Sequence, residues 1–155
     1  MIKRKLGKNG PKISSIGFGG WGIGGKTPGN SSYGKTNNNK SLETIKFASD
    51  NNVQFFDTSP AYGNGVSENL IGRALRGSRK HTIISTKIGY SSWSAGADFN
   101  HDKLIKSLES SLIRLKTDYI DVLWLHSPPG NILFEDKKIF HLLDKFKKNK
   151  LINQW

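Results

Sequence analysis

The chain is predicted to be an α/β protein built on a parallel sheet, open or closed. Strand-like and helix-like segments alternate as βαβαβαβα along the 155 residues. The strand-like runs are nearly continuous in their apolar character, as strands covered on both faces are. The third observation concerns the strand ends: Asp57, Lys87 and His126 each close an apolar run, and Tyr62 stands five residues beyond Asp57. Right-handed crossovers put the C-terminal ends of all such strands on one face, where function in these folds collects.

Each element has its own sequence signal. Residues 3–13, with a turn around Lys8-Asn9-Gly10-Pro11, read as a small hairpin. Residues 13–19 form a first short strand, and a long polar loop follows over 22–39. Residues 41–51 are helical, with Leu42, Ile45 and Ser49 on one face and Ser41 as the cap. Residues 53–57 are a buried-type strand. A stripe of Leu70, Ile71, Ala74 and Leu75 makes 67–76 a helix, which Gly77 ends. Residues 82–86 are the next strand. Asn100 caps a helix whose Leu104, Leu108, Leu112 and Leu115 keep helical spacing. Residues 120–125 are a further strand, and 135–150 a helix with Ile139, Leu142, Leu143 and Phe146 inward. Residues 151–155 open one more element.

Composition narrows the function classes. The length suits one domain over residues 1–155, and 35% hydrophobic residues suffice for a core. With no cysteine there are no disulfides, thiolate nucleophiles or cysteine metal sites, which fits a reducing cytoplasm. His81, His101, His126 and His141 show no close ligand pairing, so no metal site is expected. The charged opening has no apolar stretch behind it, so no signal peptide is expected. No apolar run approaches the ~20 residues that span a bilayer, and no membrane partner is expected. A formal charge of +12 permits a polyanion partner. The basic residues are scattered over 3–5, 73–80 and 137–150, however, and the last group reads as a solvated helix face. That scatter argues against nucleic acid and leaves room for a basic pocket that takes a phosphorylated small molecule.

Two glycine motifs compete for attention. Gly17-Phe18-Gly19-Gly20-Trp21-Gly22 matches the dinucleotide pattern, and residues 20–27 match the phosphate-loop pattern formally. Both motifs need a helix to follow at once, because its N-terminal amides hold the phosphates. Residues 28–34 are loop-like in composition instead, so the stretch reads as a glycine-rich loop at the mouth of the first strand. A helix starting at Lys26 would reverse that reading.

Asp57, Tyr62, Lys87 and His126 each have an ordinary structural role available: a turn cap, loop packing, an exposed strand end, a satisfied histidine before Pro128-Pro129. Their joint placement at neighbouring strand ends favours a shared site. A phenol is a poor acid at neutral pH, with a reference pKa near ~10. A lysine ammonium ~4 Å away stabilises the phenolate by roughly 4 kcal/mol at an effective dielectric of ~20. An aspartate keeps such a lysine charged and oriented, and a histidine beside the phenol can hydrogen-bond a carbonyl oxygen. The set amounts to a tuned acid/base centre for a carbonyl.

The runs Ile16-Gly17-Phe18-Gly19-Gly20-Trp21, Phe55-Phe56-Asp57-Thr58-Ser59-Pro60-Ala61-Tyr62-Gly63, Ser67-Glu68, Ile71-Gly72-Arg73-Ala74-Leu75, Ser85-Thr86-Lys87, and Thr117-Asp118-Tyr119-Ile120-Asp121 with Leu125-His126 resemble the aldo-keto reductases in order and spacing. The wording is closer to bacterial sugar or general aldehyde reductases than to vertebrate steroid enzymes. The resemblance covers nearly the whole chain and implies a (β/α)8 barrel that uses NADP(H) on a small-molecule carbonyl substrate. It implies that Tyr62 donates the proton as hydride passes to the carbonyl carbon, that Lys87 backed by Asp57 eases the proton's departure, and that His126 orients the carbonyl. Gly20, Trp21 and Asp57 fall where the cofactor is contacted, and Trp21, Trp93 and His126 where the substrate is walled.

A complete barrel of this kind needs ~250 residues. The chain is therefore expected to be the N-terminal half of the barrel, about four βα units behind a hairpin, truncated on the C-terminal side. In the family most of the cofactor-binding residues come from the later strands, so the chain alone is expected to be inactive. Bare strand edges and an uncovered apolar inner face are expected, and with them self-association. The competing readings are a non-catalytic half-barrel remnant and a basic phosphate-loop nucleotide binder.

Overall fold

The structure is a computed structural model that describes residues 1–27 and 32–155. A hairpin comes first: β1 (Lys3–Lys5) pairs antiparallel with β2 (Lys12–Ser14). The parallel sheet then takes β3 (Gly17–Gly19), β4 (Phe55–Asp57), β5 (Ile83–Ile88), β6 (Ile120–Leu125) and β7 (Ile152–Gln154), each beside the next in sequence order. The connections run through α1 (Asn38–Asp50), α2 (Val66–Ala74), α3 (His101–Leu115), and finally α4 (Gly130–Phe134) with α5 (Lys137–Lys148).

Several boundaries differ from the sequence reading for physical reasons. Residues 13–19 are two strands, because Ser14 leaves the hairpin and its Oγ accepts from the amides of Gln54 and Phe55 at the start of β4. Asn37, rather than Ser41, caps α1 by accepting from Asn39 N and Lys40 N. Ser41 lies buried inside the helix. The end of α2 needs no left-handed glycine, since Leu75 closes it with its amide donating to the Ile71 carbonyl. Asn100 caps α3 as expected, through bonds from Asp102 N and Lys103 N. The turn after β6 holds the short α4, and Asp136 caps α5. Leu151 onward completes a fifth parallel strand.

The core lies between sheet and helices. Phe56, Ile84, Ile88 and Leu123 meet Ile45, Leu70, Ile71, Leu104, Leu108, Ile139 and Leu143 there, all nearly inaccessible. Burial of each is worth about 1.5–3 kcal/mol. Within this layer Glu68 is fully buried. It accepts from Arg114 Nε and from Thr86 Oγ1, each at 2.6 Å, and so ties α2 to α3 and β5.

On the opposite face of the sheet, strand alternation places Phe55, Ile83, Ile120, Val122, Trp124 and Ile152, so the apolar surface expected is present, with Asp57, Ser85, Lys87 and Gln154 interleaved in it. The hairpin turn reaches the last strand, where Asn9 O accepts from Gln154 Nε2 at 3.4 Å. Among the described residues, β3 and β7 are the outermost strands of the sheet. No helix is long and apolar enough to cross a membrane among these residues.

Candidate active site

The site stands on the C-terminal ends of β4, β5 and β6. Parallel register sets Asp57 beside Ser85, and alternation returns Lys87 to the same face two residues later. Lys87 Nζ donates to Asp57 Oδ2 at 2.6 Å and to the Thr58 carbonyl at 2.8 Å. Asp57 Oδ1 accepts from Ser85 Oγ at 2.9 Å, and Ser85 Oγ accepts from Trp124 Nε1 at 2.7 Å. Both carboxylate oxygens are thereby assigned, and the ammonium is held between two acceptors.

The turn after β4 brings Tyr62 over this pair, with Lys87 Nζ 4.8 Å from its ring centroid. Backbone contact fixes the turn. Gly63 has φ +65° and packs against the backbone of Gly24, so a side chain at Gly63 would collide with the loop that follows β3. That loop carries Trp21, whose ring stacks on Tyr62 at 6.2 Å and 26°. On the other side, the His126 ring meets Tyr62 edge-on at 6.0 Å and 88°.

His126 follows β6, and its amide donates to Ile88 O at 2.8 Å. Its side chain is buried against Tyr90 and Trp93, at 5.3 and 5.1 Å between ring centroids. Nδ1 lies 3.1 Å from Ser59 Oγ. Burial lowers the histidine's pKa from 6.5 to about 4; the Lys87 ammonium adds to the effect and Asp57 opposes it. The imidazole is therefore neutral at neutral pH.

The four predicted acid/base residues thus lie together, with Trp21 against Tyr62 and Trp93 against His126. Gly20 is packed against the end of β4. It is buried, its amide donates to Asp57 O at 2.7 Å and its carbonyl accepts from Ser67 Oγ at 2.8 Å. Its place is to hold the end of β3 against Asp57. The glycine-rich stretch continues as a 3-10 turn at Gly22–Gly24, and Gly25–Thr27 is not helical. Of the predicted loop over 28–34, residues 28–31 lie outside the described residues.

Ser59, Ser85, Tyr90 and Trp124 escaped the sequence reading. Ser85 was within reach, since it precedes Lys87 by two positions and must share its face. The Ser59–His126 contact spans 67 positions and has no local signal. A separate cleft of about 440 Å³ opens beside α3, lined by Lys103, Lys106 and Arg114 and also by Asp98. Arg114 is already committed to Glu68 there.

Comparison with known proteins bears out the family and the fold. The model of the aldo/keto reductase family matches residues 15–154. The chain belongs to the aldo/keto reductase family. It is 36% identical to the aldo-keto reductase YhdN of Bacillus subtilis over 136 residues, which is 84% of this chain and 39% of that protein. It superposes on the holo form of an aldo-keto reductase from Bacillus halodurans with a TM-score of 0.82 at 27% identity, covering 99% of this chain and 48% of the other. An aldo/keto reductase from Klebsiella pneumoniae, solved with NADP and acetate, gives a TM-score of 0.73 at 24% identity over 93% of this chain and 45% of its own. At that identity the likeness concerns the fold alone. The chain therefore spans about two fifths to one half of these aldo/keto reductases, and its five parallel strands with their helices correspond to that share of the barrel.

Proposed function

We propose that these residues form the proton-donating half of an NADP(H)-dependent aldo/keto reductase acting on aldehydes or ketones, sugars among them. The observation that carries the reading is the Lys87 ammonium, held by Asp57 and the Thr58 carbonyl beneath the Tyr62 ring. A cation at that place stabilises the phenolate left when Tyr62 gives its proton to a carbonyl oxygen. Ser85 keeps the aspartate turned so that its other oxygen faces the lysine. His126, neutral and buried, borders the same opening and directs the carbonyl towards Tyr62.

The residues present fit a nicotinamide beside this centre. A side chain built on Gly19, which pairs with Asp57, would meet nothing within 4 Å, so the sheet face is open there. Asp57 and Trp21 would border the ring, with Gly20 supporting them from behind, and Trp21, Trp93 and His126 would wall the substrate. When bound, NADPH supplies the hydride. The strand edges at β3 and β7 are where we place the pairing partner, either further strands of a barrel or a second copy. A chain without cysteine suits action in the cytoplasm.

The test is NADPH oxidation against a panel of aldehydes, for the 155 residues alone and for the same residues complemented by the C-terminal half of a relative. No turnover is expected from the first. Turnover is expected from the second, lowered at least ~10²-fold by Tyr62→Phe. A complemented protein indifferent to Tyr62→Phe would overturn the proton-donor assignment. Activity of the 155 residues alone would overturn the need for a second half.

A further inference from the structure

Ser59 stands between Asp57 and Tyr62 and is fully buried. Its Oγ lies 3.1 Å from Nδ1 of His126 and also accepts from Ala61 N at 3.2 Å. A serine hydroxyl has one hydrogen to donate and two lone pairs to offer. Ala61 engages one lone pair. If Nδ1 carried the imidazole proton, it would engage the second, and the hydroxyl hydrogen would have no acceptor among the described residues. Leaving a buried donor unsatisfied disfavours that arrangement by roughly tenfold or more. If the hydroxyl donates to Nδ1 instead, every group is satisfied. The neutral ring then carries its single proton on Nε2, the nitrogen that bonds no described residue.

We infer that Ser59 is a positioning residue that fixes His126 as the Nε2–H tautomer, so that the imidazole meets a carbonyl oxygen as a donor. The opposite tautomer would present a lone pair to that oxygen and repel it. Ser59 thus determines whether His126 and the Tyr62 hydroxyl converge on one acceptor. The functional consequence rests on the proposed carbonyl reduction, whereas the tautomer itself does not.

The experiment is nitrogen–proton correlation NMR of the histidine-labelled chain at neutral pH, without cofactor or substrate. The His126 signals are identified by their loss in His126→Gln. The unsubstituted chain is expected to show the Nε2–H pattern in roughly tenfold excess or more. Ser59→Ala should collapse that excess to a mixture, and Ser59→Thr, which keeps a hydroxyl, should restore it. An Nδ1–H pattern in the unsubstituted chain, or an undiminished Nε2–H excess in Ser59→Ala, would overturn the inference. Should Ser59→Ala fail to fold, the unsubstituted chain and Ser59→Thr decide: Nε2–H in both supports it and Nδ1–H in either overturns it. A chain that never oxidises NADPH still answers this question, so failure here is distinct from failure of the reductase reading.

Discussion

The two ends of the sheet each hold an ion pair, and the pairs are finished to different degrees. At the N-terminal end, Arg79 Nη2 meets Asp121 Oδ2 at 2.8 Å, with the side chains 12% and 8% exposed. Three of the other four Arg79 N–H donors go to Thr117 Oγ1, the Thr82 carbonyl and the Tyr119 carbonyl, and the guanidinium lies 4.0 Å from the Tyr119 ring centroid. Asp121 also accepts from Ile84 N and Asn153 Nδ2. At the C-terminal end, Asp57 stays 32% exposed, and neither the Tyr62 hydroxyl nor His126 Nε2 bonds a described residue. A pair whose bonding capacity is nearly filled within the protein is architecture. One whose neighbours keep open donors facing solvent is suited to a ligand.

This contrast is broken or sharpened most by removing the closed pair. Arg79→Ala leaves Asp121 buried without its cation and should cost about 3–5 kcal/mol in urea unfolding. Lys87→Ala should cost at most about 2 kcal/mol, because water reaches Asp57. Equal losses would erase the distinction between the two ends.

The next effect is one of pH. His126 has its pKa lowered from 6.5 to about 4, so below pH 6.5 the unfolded chain takes up a proton that the folded one refuses. Its contribution is complete above 6.5 and is lost as pH falls towards 4. Native stability should drop over that window by on the order of 2–3 kcal/mol more than that of His126→Gln. Parallel curves from denaturant titrations across this range would show that the site end does not desolvate its histidine.

Smaller losses should follow at the open end itself. Ser85→Ala removes a donor to Asp57 and the acceptor of Trp124 Nε1, and should cost about 1–1.5 kcal/mol by the same unfolding assay. Tyr62→Phe should change stability by no more than about 0.5 kcal/mol, since its hydroxyl bonds no described residue, while turnover of the complemented protein falls. A large destabilisation by Tyr62→Phe would make the hydroxyl structural.

Much of this was legible in the chain because its signals are local. The leucine spacing of α3 and the apolar run of β6 specify periodicity and burial directly, and both elements occur where they were expected. The order of motifs also pointed to the family and the half-barrel. Less legible were features closed by distant partners. Asn37 displaced Ser41 as cap because Ser41 is drawn into the buried face of α1. The strand over 13–19 divided because Ser14 found partners forty and forty-one positions away, at the start of β4.

By itself the sequence determined that strands and helices alternate, which side chains form the core, and that Asp57, Tyr62, Lys87 and His126 come at successive strand ends. Period, capping and chain order are properties of neighbouring residues, so they can be read in one dimension. Only the tertiary structure decided that Ser85 holds the second oxygen of Asp57, that Ser59 sits on Nδ1 of His126, and that Gly20 is buried support rather than open surface. Those facts depend on the register between parallel strands and on which buried hydrogen bonds are closed across it, and neither is written in any local stretch of the chain.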